Sequence, residues 1–387
     1  MMIKRLIFVF LTLAWIPPCA FGAGRKGACT PDSLYSLTIR RDVIPDKFVY
    51  NWRDAVLMKA LIDISRSDEG RRPEIEAYVA EVMTRLAPRA HGRHPNGVAA
   101  GIGLAFLQEI GRNTPETDEA LKRVVLQYEH IPRAENGACS HRGNRVELWD
   151  DSLYMLEIFL LQCYRSSGDF TYLIECADQV LSHAAHLRDP KTGLWYHGWS
   201  ESSQVYEDAC CQVGWNANPL QRNDEFWGRG NGWVAMTLVD LLEVLPQEAP
   251  QYAEIKEMYL SMMRYLRRRQ NVCNGAWRQL PARPPSWANF PESSCTAMFA
   301  YAMAKGERLG LLPFRYKETA RKAYAWLSNH CLPCPEDTAQ ELTGLQGVCE
   351  GTCIGDKEYY YSRKRTGGQT YATGAFLMLY NELNNNQ

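Results

Sequence analysis

The stretch SLYMLEIFLLQCYRSSGDFTYLIECADQVLSHAAHL (residues 152–187) decides the fold. Its first part, SLYMLEIFLLQCY, is apolar over most of its circumference and reads as a buried helix. RSSGD follows as a short polar turn. FTYLIECADQVLSHAAHL then reads as a second, amphipathic helix. The same unit recurs along the chain. VAAGIGLAFLQEIG leads through RNTPET to DEALKRVVLQYEHI, and WVAMTLVDLLEVL leads through PQEAP to QYAEIKEMYLSMMRYL. CTAMFAYAMAKGERLG leads to YKETARKAYAWLSNH, and TGAFLMLYNEL closes the series. Near the start, EIEAYVAEVMTRL carries Ile75, Tyr78, Val79, Val82, Met83 and Leu86 on one helical face. Alternating strand patterns are almost absent.

A helical hairpin cannot bury its apolar face alone, so repeated hairpins stack as a solenoid or close as a toroid. About six hairpins fit the chain, which predicts an all-α, six-hairpin α/α toroid. No linker divides it, so residues 23–387 are expected to form one domain. The segment MMIKRLIFVFLTLAWIPPCAFG (residues 1–22) is basic, then apolar, and ends in small residues. It reads as a secretory signal and predicts a soluble secreted or periplasmic product.

The 387 residues carry a net charge of −1, which gives no electrostatic case for nucleic acid or an anionic membrane surface. Apart from Cys19 the chain has twelve cysteines. In an exported chain this even number favours disulfides. A zinc site from the Cys331/Cys334 and Cys349/Cys353 pairs is the weaker alternative. Cys163, Cys176 and Cys295 lie in apolar helical contexts and read as buried thiols.

Four polar clusters fall at loop-to-helix junctions: HPNGVAAG (94–101), IPRAENGACSHRGNRVELWDDSLYM (131–155), GLWYHGWSES (193–202) and EFWGRGNGW (225–233). They offer the adjacent acids Asp150 and Asp151, the imidazoles of His141 and His197, Arg229, and several indoles. A carboxyl group can move protons, Arg can pair with a sugar carboxylate, and indoles stack on sugar rings. The bland readings are that one Asp caps a helix, that a loop His is structural, and that GRGNG is a flexible turn. No strand precedes GRGNG, so a nucleotide-phosphate loop is excluded. No serine-hydrolase ordering and no His-metal spacing occurs.

The order IPRAENGACSH…LWDDSLYM, GLWYHGW, FWGRGNGW, ESSCTAMFAYAMAKGERLG resembles the unsaturated glycuronyl hydrolases. The resemblance is nearest to glycoside hydrolase family 105, the unsaturated rhamnogalacturonyl hydrolase type, with family 88 as its relative. It spans Tyr50 to Leu383 and implies an (α/α)6 barrel. The family pattern Trp-x-Asp-x-Leu-aromatic-Met falls on Trp149, Asp151, Leu153, Tyr154 and Met155, which makes Asp151 the general acid/base. Asp150 then occupies a variable position and reads as a helix-entry residue with a small effect, since helical neighbours point about 100° apart. The resemblance assigns substrate binding to Trp52, Asn96, His141, His197, Arg229 and Trp233. It implies no metal and no cofactor. Two positions depart from the pattern. Asn96 stands where relatives often carry a second Asp, and Ser200 where they often carry Asp.

The implied reaction is removal of a 4,5-unsaturated uronic acid from the non-reducing end of lyase-generated oligosaccharides, by hydration of a vinyl ether. One carboxyl group serves as acid and base in turn, unlike the two-carboxylate scheme of most glycosidases. Two alternatives stay open: a non-catalytic exported carbohydrate-binding protein, favoured by Asn96 and Ser200, and an α/α-barrel enzyme acting on saturated uronic acids.

Overall fold

A computed structural model describes residues 29–39, 48–333 and 344–384. The leader (1–22), Cys19 and Cys334 lie outside these residues. Among these residues eleven helices and one broken helix pair alternate between an inner and an outer ring. The inner ring is α2 (Trp52–Ser67), the broken pair α4 (Pro95–Ala99) and α5 (Ile102–Glu109), α7 (Asp150–Ser167), α9 (Gly228–Val244), α11 (Ser293–Arg308) and α14 (Thr370–Asn384). The outer ring is α1 (Pro31–Thr38), α3 (Arg72–Leu86), α6 (Pro115–Glu129), α8 (Phe170–Leu187), α10 (Tyr252–Arg269) and α12 (Arg315–His330). Each inner helix packs on the next, and α14 packs back on α2. The toroid expected from the hairpins is therefore a closed (α/α)6 barrel.

Burial explains the two rings. On α9 nearly every residue from Gly228 to Leu242 is buried, because neighbours cover it on all sides. On α10 only a stripe is buried: Tyr252, Ile255, Met258, Tyr259, Met262, Met263 and Leu266. That is the i, i+3, i+4 pattern of a helix with one face in water. The turns are local chemistry. Gly168 ends α7 with φ of 71°, a left-handed conformation that suits glycine. The Asp169 carboxylate then caps α8 by accepting from the Thr171 N–H at 2.9 Å.

Two details differ from the expected pattern. VAAGIGLAFLQEIG is not one helix but breaks at Ala100 and Gly101. At Gly101 a β-carbon would stand 2.8 Å from the Phe159 ring, so α7 crowds this segment. The loops also form two short antiparallel ladders. β1 (Glu147–Trp149) pairs with β2 (Gly198–Ser200), and β3 (Gln346–Cys349) pairs with β4 (Arg365–Gly367). A one-turn helix, α13 (Lys357–Tyr361), lies between β3 and β4.

A disulfide joins Cys210 to Cys353 and so ties the loop after β2 to the loop after β3. This agrees with the favoured disulfide reading and removes Cys353 from the alternative zinc site, since a disulfide sulfur is no thiolate ligand. Cys163, Cys176 and Cys295 are buried thiols, as their apolar contexts predict.

Ring closure rests on a close approach at Gly374. A β-carbon there would lie 2.7 Å from the Val56 carbonyl oxygen and 2.9 Å from the Leu57 nitrogen. Backbone cannot swing away as a side chain can. Gly374→Ala should therefore destabilise the protein by about 1–3 kcal/mol, the usual cost of overpacking. Urea unfolding measures this; an unchanged midpoint would show that α14 and α2 part freely.

Candidate active site

The inner helices all present their N-terminal ends at the same mouth of the barrel. Asp151 is in the first turn of α7, Arg229 in that of α9, and Glu292 caps α11. Trp52 opens α2, Tyr371 is in the first turn of α14, and Asn96 is in α4.

The β1–β2 ladder sets the central contact. Its register puts Trp149 opposite Gly198, and the Asp150 N–H donates to the His197 carbonyl at 3.0 Å. This brings the motifs LWDD and YHGW together. His197 Nε2 then lies 3.0 Å from Asp151 Oδ2, and His197 Nδ1 lies 2.8 Å from the Tyr360 hydroxyl. Asn223 Nδ2 donates to that hydroxyl oxygen at 3.4 Å, which leaves the hydroxyl hydrogen for Nδ1. The hydrogens are assigned from this donor inventory: His197 carries its proton on Nε2 and donates it to Asp151. The ring of His197 stacks on Trp227 with centroids 4.5 Å apart.

Asp151 is the reachable acid, with a side chain 16% exposed. Burial alone would raise its pKa. The His197 hydrogen bond and the positive charge of Arg229 outweigh burial and hold it below the ordinary aspartate value. Asp150 is the reverse case. It is fully buried, and neither carboxyl oxygen meets a donor. Burial first, and the adjacent Asp151 carboxylate second, push its pKa well above the ordinary value. It does not cap α7 with its side chain.

His141 stacks on Trp149 with centroids 4.3 Å apart and an interplanar angle of 7°. Its Nδ1 lies 2.8 Å from Ser152 Oγ, and its Nε2 lies 3.5 Å from Asn96 Nδ2. Burial pushes its pKa down to about 3, so the ring is neutral at ordinary pH. Trp52 is half-buried and stacks on Tyr371 at 5.0 Å.

Two residues have geometry that differs from the expected roles. Trp233 is 0% exposed and stacks on Tyr154 at 5.1 Å, so it is core and offers no face to a sugar. Arg229 is 1% exposed. Its Nη1 donates to the Cys349 carbonyl at 2.7 Å and its Nη2 to the Glu350 carbonyl at 2.8 Å. The guanidinium lies 4.3 Å from the Trp227 ring centroid and 4.8 Å from that of Tyr371. It clamps main chain rather than reaching outward. Ser200 is buried on β2, where its side chain accepts from the Ser202 N–H at 3.4 Å.

Residues 35–387 match the family model described as Glycosyl Hydrolase Family 88. The chain belongs to that family. It is 32% identical to Protein Atu3128 of Agrobacterium fabrum over 221 residues, covering 54% of this chain and 90% of the relative. It is 24% identical to the unsaturated rhamnogalacturonyl hydrolase YesR of Bacillus subtilis over 340 residues, covering 84% and 88% of the two chains. The fold matches a family 105 glycoside hydrolase from C. acetobutylicum with a TM-score of 0.75 at 21% identity, covering 91% of this chain and 98% of that one.

In this family 88 hydrolase, sequence reasoning missed three groups. Glu292 is buried and accepts from the N–H groups of Ser294, Cys295 and Cys349, the last at 2.8 Å. With Arg229 it grips Cys349 from both sides. Its signal was available, as an acid just before the SSCTAM helix. Tyr360 lies 163 residues from His197 and carried no local signal. Asp150 was visible but set aside. Asp150, Asp151 and His197 bring ligand-type atoms within 4.8 Å of one another. Their orientation is that of a proton network, because both nitrogens of His197 are engaged by Asp151 and Tyr360.

A cavity of about 380 Å³ lies at the opposite mouth, lined by Arg66, Lys305, Arg308, Glu243 and others. Its charges are paired internally: Arg66 with Glu109, and Lys305 and Arg308 with Glu243.

The clamp gives a prediction. Arg229→Ala leaves Glu292 buried without its cation 4.0 Å away and frees two carbonyls. Stability should fall by about 3–5 kcal/mol, as when one partner of a buried charged pair is removed. Denaturant unfolding checks this; a change under about 1 kcal/mol would mean the clamp carries little.

Proposed function

We propose that this hydrolase removes a 4,5-unsaturated uronic acid from the non-reducing end of lyase-generated oligosaccharides, of pectin or rhamnogalacturonan type, with Asp151 as general acid and base. The observation that carries the reading is an accessible acid, Asp151, hydrogen-bonded to a fully buried His197 at the barrel mouth. The relative from Bacillus subtilis is named as an unsaturated rhamnogalacturonyl hydrolase, and one from Alteromonas as an unsaturated 3S-rhamnoglycuronyl hydrolase.

The C4=C5 double bond of the unsaturated sugar is a vinyl ether, because C5 also carries the ring oxygen. Protonation at C4 leaves a positive charge shared by C5 and that oxygen. Water then adds at C5 and loses a proton to the Asp151 carboxylate. The hemiketal opens, and the hemiacetal left at C1 releases the next sugar. His197 holds the Asp151 carboxyl in one orientation and stabilises its ionised form. The half-buried Trp52 offers an indole face at this mouth, and His141 and Asn96 offer polar groups to sugar hydroxyls. Arg229 acts through its charge on Asp151 and through the fixed Cys349–Glu350 main chain.

Residues 23–387 form the catalytic domain in this reading, after export directed by residues 1–22. The Cys210–Cys353 disulfide supports an oxidising destination. Among the described residues no helix is long and apolar enough to cross a membrane.

The test is incubation with unsaturated galacturonyl and glucuronyl disaccharides, following loss of the absorbance of the conjugated double bond. The wild type should consume at least one of them. Asp151→Asn should abolish turnover, by at least about 10³-fold, while sugar binding persists, because the amide cannot donate and recover a proton. Binding without consumption across the panel would leave a carbohydrate-binding protein instead. Asn96→Asp places a carboxylate beside His141 Nε2 and should raise turnover of at least one disaccharide. A uniform fall would mean that a second charge there repels the uronate.

A further inference from the structure

Asp150 is hard to explain as structure. A carboxyl group buried without a donor costs stability at neutral pH, where an apolar side chain would not. The fold nevertheless makes room for it. Gly230 of α9 faces it so closely that a β-carbon there would stand 2.3 Å from Asp150 Oδ2. Asp150 Oδ1 lies 3.9 Å from His197 Nε2, the nitrogen that serves Asp151. The groups around it are Asp151 on its own helix, His197 ahead of β2, Tyr360 of α13, and Arg229 of α9 next to Gly230. A neutral Asp150 has one O–H to give, and an Asp151 carboxylate oxygen lies within 4.8 Å of one of its own.

The proposed reaction sets a problem that this arrangement answers. Its first step needs a proton for C4, yet the surroundings of Asp151 favour its ionised form. Its second step needs a carboxylate. We propose that Asp150 is a positioning residue that forms a carboxyl pair with Asp151, the pair holding one proton between them and delivering it to substrate through Asp151. The inference rests on the functional reading above. The Asp150 O–H bond breaks as an O–H bond forms on Asp151. Asp151 passes this proton to C4, and the C4=C5 electron pair becomes the new C–H bond. Both acids are then ionised, and Asp151 faces the cation at C5. Water oxygen bonds to C5, and the proton it loses returns to Asp151 and so to the pair. One water is added, and no proton is gained or lost by the protein. The repulsion between two carboxylates is what keeps the single proton on the pair to higher pH than a lone Asp151 would keep it.

Asp150→Asn and Asp150→Val test this, both checked for fold by circular dichroism and melting. Val should melt at or above the wild-type temperature, since it removes a buried carboxyl. In both variants the alkaline limb of the kcat–pH profile should move down by about one pH unit or more, which is about a tenfold loss of kcat at neutral pH. KM should change less than about twofold, because Asp150 does not reach the cleft. An equal loss at every pH, the mark of a displaced helix, overturns the proposal, and so does an unchanged profile. A second measurement needs no turnover. Infrared difference spectra at neutral pH should show a protonated-carboxyl band in the wild type and in Asp151→Asn that Asp150→Asn lacks. Absence of that band from the wild type also overturns the pair. If the wild type consumes no unsaturated uronide while the band is present, the substrate reading fails and the paired acids stand.

Discussion

The ring closes because Gly374 has no side chain. Its backbone lies against the Val56–Leu57 backbone of α2, and that approach seals the last inner helix to the first. Closure then orders everything above it. With six hairpins in a circle, every inner helix must run the same way, so every loop that enters an inner helix arrives at one mouth. Asp151, Arg229, Glu292, Trp52 and Tyr371 belong to five different helices and become neighbours for this reason alone. Inside that frame the β1–β2 register makes the finer adjustment, drawing His197 onto Asp151.

What could be read from sequence follows from which features are local. Helix α8 was legible from Phe170 to Leu187, because its stripe, its Asp cap and its Gly turn all lie within the segment. Asp151 and His197 were legible as parts of short patterns with fixed spacing. Trp233 and Arg229 were legible as site-adjacent, but their burial was not, since it depends on Tyr154, Cys349 and Glu350 arriving from elsewhere. Tyr360 left no trace, because its meaning is a partner on another loop. Asp150 was legible as a helix-entry residue, but its burial beside Asp151 was not. Neighbours on a helix do diverge, but the first turn of α7 is roofed by His197 and faced by Gly230, so Asp151 bonds the imidazole while Asp150 Oδ1 lies 3.9 Å from the same nitrogen.

The two aspartates show how one backbone step separates two environments. Asp151 has the His197 N–H and an opening to water, so its charge is solvated by design. Asp150 has neither, and its charge is resisted by burial and by its neighbour. Carboxyl groups of one chemical kind are thereby set far apart in proton affinity, which is the general route by which a site obtains both an acid and a base.

The common direction of the inner helices has an electrical consequence. Each helix N-terminus carries roughly half a positive elementary charge from its unsatisfied N–H groups. Arranged side by side with the same sense, the inner helices gather their positive ends around Asp151, while the antiparallel outer helices largely cancel the dipole of the barrel as a whole. At the other mouth, Arg66, Lys305 and Arg308 sit in or near the last helical turns, where they offset the opposite sign. A net charge of −1 describes only the sum. The backbone field of the inner ring therefore differs in sign between the two mouths, a direction that the composition conceals.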